Sequence, residues 1–451
     1  MHNLLQQSAQ DMAGMQFDCS CGRKHCVDIN YVRIGSQVFP SILEQLQLFQ
    51  HDTILLVADI HTFSIAGEQV EALLTTISPV QKFIFPDRHL VPNEQAIERL
   101  EAAVTPNITA MVVVGSGTLN DITRYVSFKT KIPYIIVCTA PSMDGYASMV
   151  SPLITDGVKV TYTAVYPYAI IADIDVMKHA PLHMLHAGLG DIVGKYTALA
   201  DWKMAEILQG EYYCQTTVEL VQKAIRQCVL CSDQITESSS TAISSIIEGL
   251  ILSGMCIGMT GSSRPASGAE HLLSHTWDMI GLIHGKETHL HGNQVAIGTE
   301  LVLEMYRYLT TLDIHEVVSS GKFMRFSREK WKANLESLFG GISPQIIEKK
   351  EQYLNFTESA RVNAIQNIIA NWEQLREKVF LATPSPEDYR VIMGKAGATL
   401  TPLDLDLDRE TFRLSIIAAK DIRERYGVLQ LLEDLGILEE TAERITDRYY
   451  K

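Results

Sequence analysis

Short apolar runs bounded by turn residues recur early in the chain, at Thr53–Ala58, Lys82–Phe85, Met111–Val114 and Tyr134–Cys138. Runs of this length, rich in Val and Ile, predict strands covered on both faces, as in a parallel sheet. Helical periodicity fills the gaps at Pro92–Val104 and Asn120–Lys129. Residues from about 30 to 165 therefore read as an open α/β sheet, which binds ligands at the C-terminal ends of its strands. Beyond about residue 170 helical periodicity takes over: Leu182–Met204, Val218–Cys231, Ala242–Met259, Ala269–Ile280 and Asn293–Leu309, with more amphipathic helix in Ser327–Lys378. Ser385-Pro386-Glu387-Asp388 and Asp408-Arg-Glu-Thr have the order of helix starts, the second opening a helix over Phe412–Arg425. No internal repeat or low-complexity linker interrupts the chain. The pattern predicts an α/β nucleotide-binding domain with a parallel sheet in residues 1–170. A mostly α-helical domain follows in residues 171–451.

The length of 451 residues and the 46% apolar fraction allow large packed cores and exclude global disorder. With 38 basic against 53 acidic side chains the net charge is −15, which argues against a nucleic-acid or anionic-membrane surface. The longest nearly apolar stretch, around Gly249–Met259, falls short of the roughly 20 residues that span a bilayer, so no membrane insertion is expected. The segment MHNLLQQSAQDMAG lacks the charged-then-apolar order of a secretory signal, and a cytoplasmic location is expected. Eight cysteines, most of them in apolar surroundings, suit that compartment as core thiols. Cys228 and Cys231 have the spacing of a redox or zinc pair, but they lie in a helical run with no second pair nearby. Cys19, Cys21, His25 and Cys26 offer three thiols and an imidazole to a zinc ion. Against that, Cys-x-Cys spacing is cramped for one tetrahedral site, and the segment reads as a hairpin turn at Gly22.

Gly115-Ser116-Gly117-Thr118-Leu119 leaves a strand and opens a helix, where glycines admit a phosphate and the helix N-terminus favours it. It is not a complete dinucleotide fingerprint, because Asn120 replaces the third glycine and no acid ends the next strand. Read alone, the loop is equally a tight turn. Asp59, ending the upstream run Leu55–Ala58, supplies the missing acid: it can accept both ribose hydroxyls and would repel the extra phosphate of NADP. Thr139–Ser148, with Pro141, Asp144 and Gly145, is by default a capped turn; beside the glycine loop it becomes a wall for cofactor and substrate. Asp191 is a carboxylate in an apolar helix and requires a cation or donor. His271 and His275 stand one helical turn apart, and His291 just precedes another helix. One Asp with two or three His is a ligand set for zinc, iron or nickel, although each histidine alone is more often structural. Arg264 is a candidate for holding a substrate phosphate, with a solvent-exposed loop arginine as its alternative reading.

These residues fall in five blocks: GSGTLNDITRY (115–125), TAPSMDGYAS (139–148), GLGDIVGKYTALADW (188–202), SGAEHLLSHTWD (267–278) and LHGNQVAIGT (290–299). Taken in order, they resemble the dehydroquinate synthase-like, metal-dependent oxidoreductases, a superfamily that includes iron-containing alcohol dehydrogenases. The chain is most similar to the sn-glycerol-1-phosphate dehydrogenases of the bacterial AraM type. The likeness runs from about residue 50 to 310 and weakens around Phe412–Leu435. It implies a dehydroquinate synthase-like fold and hydride transfer between dihydroxyacetone phosphate and sn-glycerol 1-phosphate, a step of phospholipid biosynthesis. NAD(H), with NADP(H) as the alternative, would contact Asp59, Gly115, Ser116, Gly117, Thr118, Leu119, Thr139, Ala140, Pro141, Ser142 and Ser148. One divalent ion, Zn2+ before Ni2+ or Fe2+, would take Asp191, His271 and His291 as ligands. Asp144, Asp191 and His275 would meet the substrate, and Asp191 and His275 would act in catalysis. A small phosphorylated substrate and a homodimer are also implied. Glycerol or polyol dehydrogenation, dehydroquinate synthase-type chemistry and a non-catalytic regulator remain the alternatives. The Gly-Ser-Gly loop departs from the three glycines of many archaeal members.

Overall fold

The computed structural model describes residues 4–48, 52–155, 158–286, 289–352 and 357–450. They form two compact units. The first runs to Ile192 and takes in Gln215–Ser263 and Lys395–Gly397; the second holds Val193–Cys214, Arg264–Gly394 and the chain from Ala398 onward.

Strands of the first unit are β1 (Gln16–Asp18), β2 (Lys24–Cys26), β3 (Tyr31–Gly35), β4 (Thr53–Asp59), β5 (Val80–Phe85), β6 (Ile108–Gly115), β7 (Tyr134–Cys138), β8 (Val150–Thr155), β9 (Val158–Thr163) and β10 (Ala169–Asp173). Six of them make a wholly parallel sheet in the order β3-β10-β7-β6-β4-β5. β1–β2 and β8–β9 are separate antiparallel pairs. All four expected strands are present. Every residue of β7 and β10 is buried, as is the middle of β4, which is why their apolar runs are continuous rather than alternating. Ile54, Leu56, Val112, Val114, Ile135, Val137 and Ile171 share one core cluster, each such side chain stabilising the fold by about 1.5–3 kcal/mol on burial.

Among the helices, the site uses α1 (Gly117–Thr130), α2 (Leu182–Gln209), α3 (Gln215–Leu230), α4 (Ser240–Thr260), α5 (Ala269–Ile283) and α6 (His291–Thr310). The division of the chain falls elsewhere than at 170/171: α3 and α4 group with the sheet, because α4 packs on the Asp144–Ala147 turn, β2 and β3. An 18-residue stretch of the 21-residue α4 has a mean hydropathy of 1.7, enough by length and composition to cross a bilayer, yet 72% of that stretch is buried within the protein. It is packed as a core helix.

The second unit is helical. Asp408 caps its helix as expected, its carboxylate accepting from the Glu410 and Thr411 amides. That helix spans only Arg409–Ala418, so Arg423 and Arg425, expected at its end, lie beyond it in irregular chain.

Candidate active site

β4, β6 and β7 are neighbours in the sheet, so their C-terminal ends bring Asp59, the glycine loop and Thr139 to one edge. The Thr139 amide donates to the Gly115 carbonyl at 3.1 Å, joining two of these loops directly. Ser116 is the N-cap of α1, and its side chain makes no capping bond, which leaves a helix N-terminus suited to a phosphate. Asn120, standing where a dinucleotide fingerprint has glycine, is fully buried. Its amide donates to the Gly145 carbonyl at 3.3 Å and its oxygen accepts from Tyr134. This loop uses the side chain to hold the adjoining turn.

Asp59 caps a helix. Its Oδ1 accepts from the amides of His61 at 2.9 Å and Thr62 at 2.7 Å, capping a short helix. Thr139 and Ser142 are buried in the next turn, and the Ala140 carbonyl accepts from the Tyr146 hydroxyl at 2.6 Å. Ser148 spends its hydroxyl on the Val150 backbone, at 3.1 and 3.2 Å. Pattern reading passed over Arg124. This fully buried guanidinium on α1 reaches Asp121 and Tyr134 together with the carbonyls of Gly145, Tyr146 and Val150, fastening the Asp144 turn to the glycine-loop helix.

Asp191 lies on α2, fully buried, and its Oδ2 accepts the Asp144 amide at 2.8 Å. Asp144 in turn accepts from the Ser253 hydroxyl at 3.0 Å. Gly188, one turn earlier, lets α2 approach the turn at Pro141: a Cβ there would stand 1.8 Å from the Pro141 carbonyl oxygen. The helix continues unbroken past Asp191. Gly194 lies against Val295 and Glu270, and the Thr197 hydroxyl donates to Glu270 at 2.7 Å. Lys195, a turn beyond Asp191, is a fully buried cation in a stretch that reads as apolar helix.

Three imidazoles gather on α5 and α6. The ring centroids of His271 lie 5.0 Å from His291 and 6.2 Å from His275; His275 and His291 stack at 5.5 Å. Supporting bonds set the tautomers of two of them. His271 Nδ1 faces the Glu270 carboxylate at 2.8 Å, so it carries the proton and Nε2 keeps its lone pair. Ser274 donates to Gln294 at 2.9 Å and so accepts from His291 Nδ1 at 3.2 Å, which leaves the His291 Nε2 lone pair. Burial pushes the Glu270 carboxyl up, but the hydrogen bond from His271, with those of the Gly268 amide and Thr197, holds it below its usual range. One ligand atom each from His275, Asp278 and His291 lie within 4.8 Å of one another. A carboxylate and two imidazoles with fixed lone pairs fit a divalent transition metal. His186 is turned elsewhere, 2.8 Å from the Ala396 carbonyl.

The chain aligns with the glycerol-1-phosphate dehydrogenase [NAD(P)+] of Geobacillus stearothermophilus at 30% identity over 446 residues, covering 96% of this chain and 100% of the relative. It belongs to the glycerol-1-phosphate dehydrogenase family. A further relative of that name, from Pyrococcus horikoshii, is 36% identical over 54% of this chain and 69% of its own. The iron-containing alcohol dehydrogenase profile matches residues 33–181. Among solved structures, glycerol dehydrogenase from Schizosaccharomyces pombe aligns over 98% of this chain and 94% of its own, with a TM-score of 0.59 at 14% identity. A probable glycerol dehydrogenase from Sinorhizobium meliloti aligns over 92% and 98%, with a TM-score of 0.57 at 16% identity. Both share the fold. In this glycerol-1-phosphate dehydrogenase family member, Arg264 is already engaged, with Nε 2.7 Å from Glu211 and Nη1 2.8 Å from the Tyr426 carbonyl. Neighbouring arginines are better placed for an anion. Burial, with repulsion from Arg423 and Arg264, pulls the Arg425 guanidinium down to about 9. Arg425 donates to the Ser267 carbonyl at 2.8 Å, and the buried Ser267 hydroxyl has no hydrogen-bond partner. These groups lie far apart in sequence, so spacing alone did not join them.

Proposed function

We propose that this protein interconverts dihydroxyacetone phosphate and sn-glycerol 1-phosphate using NAD(P)H. The observation that carries the reading is the pair His271 and His291, side by side and both held in the tautomer that presents Nε2, to which Asp191 would add a carboxylate. When bound there, a divalent cation supplies Lewis-acid polarisation of the substrate carbonyl, and the nicotinamide supplies the hydride. The chain's own residues orient and hold protons. Asp144 aims the Asp191 carboxylate through its backbone amide. Glu270 and Ser274 keep the imidazoles in register. His275, stacked on His291, orients the substrate or exchanges a proton with its oxygen, and Asp144 lines the same substrate.

On this reading Gly115–Leu119 and Thr139–Ser142 hold the cofactor, and Asp59 favours NADH over NADPH. Ser148, turned to its own backbone, acts on the cofactor through the shape of the loop. Arg423 and Arg425 receive the substrate phosphate, which an acidic protein must meet with local donors. Zinc is the first choice of metal, with nickel or iron accepted by the same ligands. The absence of disulfides among the described residues supports a reducing, cytoplasmic location, and the family resemblance supports a homodimer. The test is NADH oxidation against dihydroxyacetone phosphate, dihydroxyacetone and simple aldehydes. A preference for the phosphorylated ketone supports the assignment. Equal or better turnover of dihydroxyacetone would shift it to glycerol dehydrogenation.

A further inference from the structure

A second cluster of metal-binding side chains lies away from these residues, where β1 and β2 form their hairpin. The turn between the strands folds Cys19 and Cys21 together: the Cys19 amide donates to the Arg23 carbonyl at 3.0 Å, and the Gly22 amide to the Cys19 carbonyl at 3.0 Å. Gly22 takes a φ of +84°, a conformation that costs a residue with a Cβ. His25, on β2, is fully buried. Its Nδ1 lies 2.7 Å from the Met259 carbonyl, near the end of α4, and must donate to it. That bond fixes the tautomer and turns the Nε2 lone pair to Cys21 Sγ at 3.3 Å. The fourth group comes from far along the chain. Cys214 is peptide-bonded to Gln215, the first residue of α3, and the thiol of Cys19 reaches Thr216 of that helix at 3.3 Å.

Ligand atoms of Cys19, Cys21 and His25 lie within 4.8 Å of one another, and the peptide bond to Gln215 keeps Cys214 at the end of α3 that Cys19 reaches through Thr216. Bonds of 2.3 Å to sulfur and 2.0–2.1 Å to nitrogen place tetrahedral ligands about 3.5–3.8 Å apart, so small rotamer adjustments close the set. The objection that Cys-x-Cys is cramped falls away, because the turn presents both thiols to one side and Cys214 completes the coordination from another element.

We propose that Cys19, Cys21, His25 and Cys214 form a structural zinc site of the Cys3His type. Four protein ligands leave no open position, as in structural rather than catalytic zinc centres. Binding exchanges three thiol protons for one Zn2+, and Thr216 then donates to the Cys19 thiolate instead of accepting from its thiol. The ion ties the β1–β2 hairpin to the start of α3 and, through His25, to the end of α4. Because α4 carries Ser253, which holds Asp144, the site braces the turn that orients Asp191.

The test uses the full-length protein, loaded with Co2+ under reducing conditions, and reads thiolate-to-cobalt charge-transfer absorption, which an Asp/His/His site cannot give. The wild type and Asp191→Ala should show the band, and Cys214→Ser should lose it. A thiol-specific mercurial should release one zinc per chain from wild-type protein grown with zinc. Should Cys214→Ser prove insoluble, the wild-type spectrum and the mercurial release decide between them. No charge-transfer band in the wild type, a band unchanged in Cys214→Ser, or no zinc released by the mercurial would each overturn the proposal.

Discussion

Replacing Glu270 by Gln removes one buried charge beside His271 while keeping the local hydrogen bonds. Glu270 Oε1 accepts from the Gly268 amide at 2.6 Å and from His271 Nδ1 at 2.8 Å, and Oε2 accepts from Thr197 at 2.7 Å. In Glu270→Gln the amide oxygen serves the first two donors, and the new NH2 donates to Thr197. The Thr197 hydroxyl can then donate wholly to the Gly194 carbonyl, which it already approaches at 2.9 Å. The fold should therefore survive. What changes is the strength of the bond to His271, from charge-assisted (about 1.5–3 kcal/mol) to neutral (about 0.5–1.5 kcal/mol). The difference of about 1–2 kcal/mol corresponds to metal binding weakened roughly 5- to 30-fold, in line with losses seen when such supporting groups are removed. Chelator competition, followed by elemental analysis of the dialysed protein, measures the shift. Unchanged metal affinity in a folded Glu270→Gln protein would refute the reasoning that this carboxylate tunes a metal ligand.

Three further outcomes are expected. Gly188→Ala must open a 1.8 Å approach to the Pro141 carbonyl, a strain of at least 1–3 kcal/mol, so Tm should fall by several degrees and NADH should bind more weakly. Wild-type values for both would show that α2 does not shape the cofactor loop. Asp59→Asn keeps a capping oxygen but drops a charge worth about 1 kcal/mol at 4 Å in water-like surroundings, so the preference for NADH over NADPH should shrink roughly fivefold, as measured by the ratio of kcat/KM values. An unchanged ratio removes Asp59 from cofactor choice. Burial pushes the Asp201 carboxyl up to about 6, against a pull downward by the Tyr306 hydroxyl and with a push from Glu270. A carboxyl that holds its proton more tightly when folded stabilises the protein fully below its unfolded value of 3.8 and loses that contribution as the pH rises through about 6. Asp201→Asn should flatten the profile of Tm against pH between 4 and 6. Parallel profiles for wild type and variant would contradict this.

Most of the sheet was legible because a strand buried on both faces leaves an unbroken apolar run, as Tyr134–Cys138 and Thr53–Ala58 do. Strand β3, crossed by Arg33 and with only Val32 fully buried, gave no such run. The imidazoles were legible from helical spacing, since His271 and His275 stand one turn apart. Their supporting groups were not. Glu270 and Ser274 gain meaning only once α5 and α6 are packed, and Arg124 reads as an ordinary helical cation until the Asp144 turn closes over it. The link of Cys214 to the hairpin was hidden for the same reason: it stands 189 positions after His25, and no local spacing connects them. The helix expected to reach Arg425 stops at Ala418, and Arg425, beyond it, acquires a role only from its bond to the Ser267 carbonyl.

The most direct measurement is metal content and NADH-dependent turnover of dihydroxyacetone phosphate in Asp191→Ala beside the wild type, with Co2+ absorption separating the Asp/His/His ion from any thiolate-bound ion. Loss of the ion that gives no charge-transfer band, together with loss of turnover, is predicted. An Asp191→Ala protein that is folded and fully active with that ion absent would contradict the account.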